Sequence, residues 1–330
     1  MQQVPSKVGD PRRFDYAYPI KRMFTTSFKN GALLQLDYQA LEMRVVALRS
    51  GDMTMTQAFL DDKDLHTNTA SLAFRVPEDE VSGDLRKKAK GVAFGIVYGE
   101  TPSSFAPKHD MTVEEAQEVF DAFLSSKPAI EDFIQWCHQF VLKYGYVETM
   151  QGFRRNLMGA FSKDKRIRNE ALRQSVNTII QGTGAFLTNL SVVYLVEWII
   201  SAGLRSKVVL TVHDSIVIDC PPEEIELVAE TARLIMENLP VDFLTVDWIG
   251  DEPMRYPIKA DVEIGENYND MVNYDREEMK EFSSVKGFVK YHKDIATFGD
   301  YQDNGIITKE DMEKGQATVR ASRASYLAIV

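Results

Sequence analysis

Residues 32–37 read Ala-Leu-Leu-Gln-Leu-Asp, a short apolar run that predicts a buried strand ending on a carboxylate. From Leu41 the apolar spacing turns helical, and Gly51 is placed to cap that helix. Residues 54–73 read as helix, Pro77 and Gly83 interrupt, and a further helix is expected from about 84 to 98. Thr112 to Gln135 reads as two helices parted near Pro128, and Gly145-Tyr-Val-Glu-Thr-Met-Gln-Gly152 as a hairpin with glycine at both ends. A long helix is expected from about Asn169 to Ala202, loosened around Gly182 and Gly184. The clearest strand pair is Val208-Val-Leu-Thr-Val212 and Ser215-Ile-Val-Ile-Asp-Cys220, joined by His213-Asp214 and stopped by Pro221-Pro222. An acidic amphipathic helix, about 223–238, follows it. From about residue 275 the chain becomes charged, dotted with aromatics and loosely patterned.

Composition adds bounds. The 330 residues are 44% hydrophobic and 26% charged, an ordinary globular balance whose length suits two packed bodies or one with an insertion. Two cysteines, Cys137 and Cys220, cannot build a disulfide framework and suit a reducing compartment. No run reaches the ~18 consecutive apolar residues of a membrane span. The start, Met1-Gln-Gln-Val-Pro-Ser-Lys7, lacks the apolar segment of a signal peptide. The expectation is a soluble protein of the cytoplasm with no membrane partner. The net charge of −11 argues at first sight against nucleic acid, but whole-chain charge hides local patches. Arg86, Lys87, Lys88 and Lys90 form one basic knot, and Lys163, Lys165, Arg166, Arg168 and Arg173 a second. By composition alone, each reads as a solvated helix face.

Three motifs carry candidate chemistry. In Asp37-Tyr-Gln-Ala-Leu-Glu42-Met-Arg44 an aspartate closes a buried strand, a place to hold a hard cation, and Glu42 opens the next helix. A carboxylate meeting a helix dipole would account for Glu42 equally well. In Val212-His213-Asp214-Ser215 a charged tip sits between apolar strands, either an exposed turn or a tip pushed into a site. Together, Asp37 and Asp214 supply what a two-metal phosphoryl-transfer site needs. In Arg86-Lys-Lys-Ala-Lys90-Gly-Val-Ala-Phe94-Gly-Ile-Val-Tyr98-Gly99, the residues Arg86, Lys90, Phe94 and Tyr98 recur every four positions. On a helix they form one slanting stripe about 18 Å long, cationic then aromatic. Cations suit a triphosphate and rings a base or sugar. An amphipathic core helix with a basic start is the alternative, although a basic start opposes the helix dipole. Gly91 and Gly95 cost ~1 kcal/mol each in a helix, so close approach by some group is expected there.

In this order and spacing, the three motifs closely resemble motifs A, B and C of family A (polymerase I-like) DNA polymerases. Flanking segments agree: Met1-Gln-Gln-Val-Pro5, Ile20-Lys-Arg-Met-Phe24, His66-Thr-Asn-Thr-Ala-Ser71, Gly152-Phe-Arg-Arg155 and Arg173-Gln-Ser-Val-Asn-Thr-Ile-Ile-Gln-Gly-Thr183. The resemblance covers roughly residues 1–270 and implies an α/β (α+β) palm, a mostly antiparallel sheet, with helical fingers. It divides the chain into 1–60 (palm, motif A), 61–145 (fingers, motif B), 146–275 (palm, motif C) and a tail, 276–330. It implies that Asp37 and Asp214, with the Tyr38 carbonyl, hold two Mg²⁺ ions. Glu42 becomes the gate against a ribose 2′-hydroxyl. His66, Arg86, Lys90 and Phe94 bind the incoming dNTP, with Lys90 a general acid toward pyrophosphate. Tyr98, Arg173, Asn177, Gln181 and His213 line the primer-template.

Departures from the family are Ser215, where a third carboxylate is usual, Ala40 for a common Gln and Ala93 for a common Asn. Thumb and exonuclease segments have no counterpart in this sequence. The resemblance therefore implies a polymerase split or truncated, partnered by a second polypeptide carrying the thumb and a proofreading exonuclease. The divergence suggests a bacteriophage source and hence a host cytoplasm. The pairs Asp261-x-Glu263 and Asp275-x-Glu277 follow the palm and read as surface charge, and Asp300 to Asp311 faintly echoes a calcium loop, with a family-specific tail preferred. The expected activity is that of a DNA-directed DNA polymerase: template-directed addition of deoxynucleotides to a primer 3′ end. The alternatives are a non-catalytic half that binds dNTP or primer-template and turns over only with a thumb-bearing chain, and a polymerase-like body that binds replication proteins. Glu42 argues against a single-subunit RNA polymerase.

Overall fold

The computed structural model describes residues 20–74, 76–303 and 305–329, so the Met1–Pro5 segment of the resemblance lies outside the described residues. In chain order the elements begin with β1 (Ala32–Tyr38), α1 (Leu41–Ser50), α2 (Met53–Leu60), α3 (Leu65–Phe74) and α4 (Gly83–Val97). Next come α5 (Pro102–Phe105), α6 (Val113–Ser126), α7 (Pro128–Tyr144), β2 (Tyr146–Glu148), β3 (Arg154–Asn156) and α8 (Lys165–Ser201). Then follow β4 (Lys207–Val212), β5 (Ser215–Cys220), α9 (Ile225–Glu237), β6 (Thr245–Val246), β7 (Met254–Arg255), β8 (Ala260–Gly265) and β9 (Val272–Asn273). The tail forms α10 (Arg276–Met279), α11 (Val285–Asp303), α12 (Lys309–Ala321) and α13 (Arg323–Leu327). The chain folds as two compact units: one of 1–39, 188–239 and 259–330, the other of 40–187 and 240–258.

The first unit is built on an antiparallel sheet in the order β4-β5-β1-β8-β9, with β1 in the middle. Alternation sets its faces. Leu34, Leu36 and Tyr38 are buried on one face, opposite Ile218 and Ile216 of β5 and Ile264, Val262 and Ala260 of β8. The Tyr38 hydroxyl bonds to Ser191 on α8 (2.7 Å) and to the Met236 carbonyl on α9 (2.9 Å), which ties that face to both helices. Leu33, Gln35 and Asp37 point the other way. A one-residue slip of β1 would exchange these sets, so the register is firmly specified. Asp219 on β5 is buried and accepts from the Thr26 hydroxyl (2.6 Å), the Ser27 hydroxyl (2.5 Å) and the Ser27 amide (3.1 Å), which fixes the approach to β1.

The tail, loosely patterned in sequence, forms four helices among its described residues. The α11 helix packs on β8 and β9 through buried Phe288 and carries α12 and α13 on its other sides. Gly287 has no Cβ where the Tyr326 carbonyl approaches. Asp300 to Asp303 belong to α11, and Asp311 bonds to the Thr308 cap of α12 (2.7 Å), so the calcium-loop echo is dissolved into two helices. Asp275 caps α10 by accepting from the Glu278 amide (2.8 Å), an ordinary structural use of that acid.

In the second unit α1 to α7 pack around Val45, Met55, Phe105, Phe123, Ile130 and Ile179. The expected helix over 54–73 is two, broken where Asp62 adopts a left-handed φ of 58°. Arg44 is buried in α1, its guanidinium donating to the Pro257 carbonyl (2.5 Å) and lying 4.4 Å over the Phe59 ring. It pins the 240–258 segment. Lys127, also buried, rests over Phe123 (4.6 Å) and donates to the Ser126 hydroxyl (3.0 Å); burial pulls its pKa down to about 8. The α8 helix runs unbroken. Its Gly182, expected to loosen it, instead admits the β2–β3 turn: a Cβ there would meet Thr149 Cγ2 at 2.7 Å, and Gln151 donates to the Gly182 carbonyl (3.1 Å). By length and composition α8 could cross a membrane, although 44% of its most apolar window is buried in the protein.

Asp270, after β8, is the junction of the first unit. It accepts from Arg22 (2.7 Å), from Asn269 (3.1 Å) and from Lys293 of α11. Burial raises its pKa, but these donors outweigh burial and hold it well below the usual carboxylate range. A depressed folded pKa stabilises above the unfolded value near ~4 and is lost as pH falls toward the folded one. Asp270→Ala should cost about 2 kcal/mol at pH 7, measured by urea unfolding, with the deficit shrinking below about pH 4.

Candidate active site

Two groups of side chains concentrate the chemistry, one in each unit. In the first unit, Asp37 ends β1 on the open face of the sheet, across from Ser215 of β5 and Asp261 of β8. Burial pushes its pKa up to about 7, and the charges of Asp214, Glu263 and Asp261 push the same way, as does a carboxyl hydrogen bond with Asp214. Its Oδ1 is buried and has no hydrogen-bond partner. Asp214 stands in the β4–β5 turn beside His213, which takes the left-handed φ of 56° that reverses the chain. His213 itself is exposed.

One expectation changes. Asp261 and Glu263 do not lie beyond the palm sheet: β8 is the immediate neighbour of β1, with Asp261 paired to Asp37 and Glu263 to Gln35. Asp261 accepts from Gln39 Nε2 (2.5 Å), and Glu263 has its pKa raised by burial and then by Asp261. Their period-two alternation with Ala260, Val262 and Ile264 was the strand signal to read. Ser215, in place of a third carboxylate, gives its hydroxyl to the Val212 carbonyl (2.9 Å). Tyr38 turns its ring into the core, where its hydroxyl meets Ser191. Among the described residues, no three His, Cys, Asp or Glu side chains close around one point as a metal cage does. The fit of a divalent cation rests instead on the orphaned Asp37 oxygen and the mutual repulsion of the acids around it.

In the second unit the α4 stripe is present as spaced. The Arg86 guanidinium meets Asp64 (2.5 Å), Lys90 Nζ lies 5.9 Å from the Phe94 ring centroid, and the Phe94 and Tyr98 rings stack at 6.1 Å. His66, from α3, faces Phe94 at 6.2 Å. Burial pulls the His66 pKa down to about 4, with Asp64 opposing and Lys90 and Arg86 adding to the effect, and its Nδ1 is buried without a partner. A neutral imidazole therefore stands among cations. Gly91 and Gly95 are approached by the protein's own side chains: an added Cβ would meet His109 at 2.9 Å and Glu100 at 3.0 Å respectively.

The α8 helix sets Arg173, Asn177 and Gln181 four apart on one side. Asn177 Oδ1 is buried and unpartnered. The Arg173 stem lies over Gly99, where a Cβ would come within 2.7 Å of Cγ, so Tyr98 and Arg173 are neighbours. The Arg173 guanidinium is paired with Glu170. Glu42 is half-buried in the first turn of α1, which starts from Ala40 at a left-handed φ of 48°.

This arrangement matches known proteins along most of the chain. The family model for DNA polymerase family A matches residues 1–270. The chain belongs to DNA polymerase family A. A DNA polymerase of Bacillus phage SP01 is 35% identical over 92% of this chain and 34% of its own length. The thermostable DNA polymerase I of Thermus aquaticus is 32% identical over 80% of this chain and 30% of its own. The POL domain of Pol1 from M. smegmatis, solved in complex with DNA primer-template and dNTP, superposes with a TM-score of 0.71 at 28% identity. That superposition covers 82% of this chain and 44% of the other. This family member thus spans about a third of the length of the curated relatives it matches. The mixed helical and antiparallel fold is that of the polymerase domain.

The acids make a stability prediction. A carboxylate whose folded pKa exceeds its unfolded one destabilises the native state when ionised, so stability falls as pH rises from ~4 through about 7. In EDTA, Asp37→Asn should raise the melting temperature at pH 8 by about 3 °C and leave it unchanged near pH 4. An equal effect at both pH values would contradict the crowding.

Proposed function

We propose that this chain is the palm-and-fingers portion of a template-directed DNA polymerase that adds deoxynucleotides to a primer 3′ end. The observation that carries the proposal is the co-occurrence of Asp37, orphaned on β1 and crowded by Asp214 of the β4–β5 turn, with a cationic and aromatic stripe on α4. The first is suited to divalent cations and the second to a nucleoside triphosphate.

Asp37 and Asp214, with the Tyr38 carbonyl, would hold two Mg²⁺ ions. Bound there, the ions would supply Lewis acidity to an attacking hydroxyl and to a departing pyrophosphate. The chain's own part is positional and electrostatic. Arg86 and Lys90 would bind the phosphates, with Asp64 yielding its ion pair to them. His66, kept neutral, would donate a hydrogen bond to the phosphates rather than add charge. Lys90 would hand a proton to pyrophosphate. Phe94 would stack on the base or sugar, and Glu42 would exclude a 2′-hydroxyl. Tyr98 would mark the template position, with Arg173, Asn177, Gln181 and His213 lining the duplex.

In this reading residues 1–60 and 146–275 act as palm, 61–145 as fingers and 276–330 as a tail of unassigned role. A second reading keeps the binding roles and withholds turnover until a polypeptide carrying a thumb and a proofreading exonuclease joins.

Primer extension with Mg²⁺ and dNTPs tests both readings. The chain should extend a primer, alone or with a thumb-bearing chain, and Asp214→Ala should lower the rate about a thousandfold or more. Extension undiminished in Asp214→Ala would refute the proposal. Glu42→Ala should raise ribonucleotide use relative to dNTPs by about tenfold; unchanged discrimination would remove the gate.

A further inference from the structure

The second unit carries exposed aromatics that the proposed chemistry leaves unused. Trp136, Phe140 and Tyr144 recur every four residues on α7, and Tyr146 of β2 continues the row. Ring centroids are 5.2 Å apart for Trp136–Phe140, 4.7 Å for Phe140–Tyr144 and 5.4 Å for Phe140–Tyr146. Trp136 is 41% exposed and Tyr144 48%, high values for large rings. Cations sit along the row. The Arg49 guanidinium lies 4.6 Å from Trp136, Lys143 Nζ 5.0 Å from Tyr144, and the Arg154 guanidinium 4.0 Å from Tyr146. Beside Trp136 a groove of about 320 Å³ is lined by Arg49, Ser50, Asp132 and Phe133.

The local charge opposes that of the chain. Residues 128–173, counted from the start of α7, hold eight Lys and Arg against five Asp and Glu, a surplus of three within a chain of net charge −11. Asp132 lines the groove beside Trp136, and Glu148 of β2 is already paired with Arg154 (3.2 Å).

We propose that this ladder is a binding path for single-stranded nucleic acid. The exposed faces of Trp136 and Tyr144 are platforms for bases, and Arg49, Lys143 and Arg154 meet the phosphates. Every base has a π face, so such a ladder binds without sequence preference, and cations between the rings neutralise the backbone. The charge surplus selects this occupant over a protein, which would use the same rings without needing so many cations. That the strand is unpaired template rests on the polymerase reading; affinity for a single strand does not.

The test is binding of a fluorescein-labelled dT20 to the whole chain, without metal or dNTP, so silence in primer extension has no bearing on it. Trp136→Ala and Tyr144→Ala should each weaken dT20 binding about tenfold with an unchanged circular dichroism spectrum. Trp136→Phe should keep the affinity but lose most of the tryptophan quenching that dT20 causes. Arg154→Ala should lower the salt slope by about 0.7. A primer-template with a 5′ overhang should protect the ladder from quenching by free dT20, and a blunt duplex should not. Equal affinity in both alanine variants, quenching that survives Trp136→Phe, or no dT20 binding at all would overturn the proposal. So would self-association of the chain that Trp136→Ala abolishes, which would mark the face as a protein interface.

Discussion

The first unit is organised around a repulsion that its sheet holds in place. Asp37 stands near the end of the central strand, across from Asp261, with Asp214 in the adjoining turn and Glu263 two register positions away. Nothing within that group neutralises it. The apolar face of the same strand supplies the restraint: Leu34, Leu36 and Tyr38 are locked against β5, β8 and two helices, so Asp37 cannot turn away without exposing them. Charge crowded onto Asp37 in this way lowers the stability of the fold when it ionises. The donors gathered on Asp219 and Asp270 show the opposite treatment of an acid, each satisfied by several hydrogen bonds.

The second unit follows a complementary rule. Its stripe joins cations and rings along one helix, and His66 is desolvated among them until it is neutral. Glycines 91 and 95 bring the chain's own His109 and Glu100 against that helix, a packing use that fixes the stripe's surroundings. Gly182 does the same for the β2–β3 hairpin on α8. In each case the missing Cβ leaves room for a side chain packed close against the helix.

Much of this was legible in the sequence because it was local. The Asp37 strand, the His213–Asp214 turn and the four-residue spacing of the α4 stripe each depend on a few neighbouring residues. What was not legible depends on partners far along the chain. Asp261 and Glu263 read as surface acids because only β8's pairing beside β1 gives them a site to join. The helices of residues 276–330 were obscured by their charged exteriors, since α11 is amphipathic against a sheet formed elsewhere in the chain. The break between α2 and α3 rests on a left-handed Asp62, which no apolar period announces.

We propose that the acids around Asp37 form a cation site created by their own repulsion. Titration of the whole chain with Mn²⁺, followed by loss of the free-ion electron paramagnetic resonance signal, tests it without substrate or turnover. Saturable binding at pH 8 that fades near pH 5 and disappears in Asp37→Asn is the predicted result. Binding that survives Asp37→Asn, or none at pH 8, would contradict it.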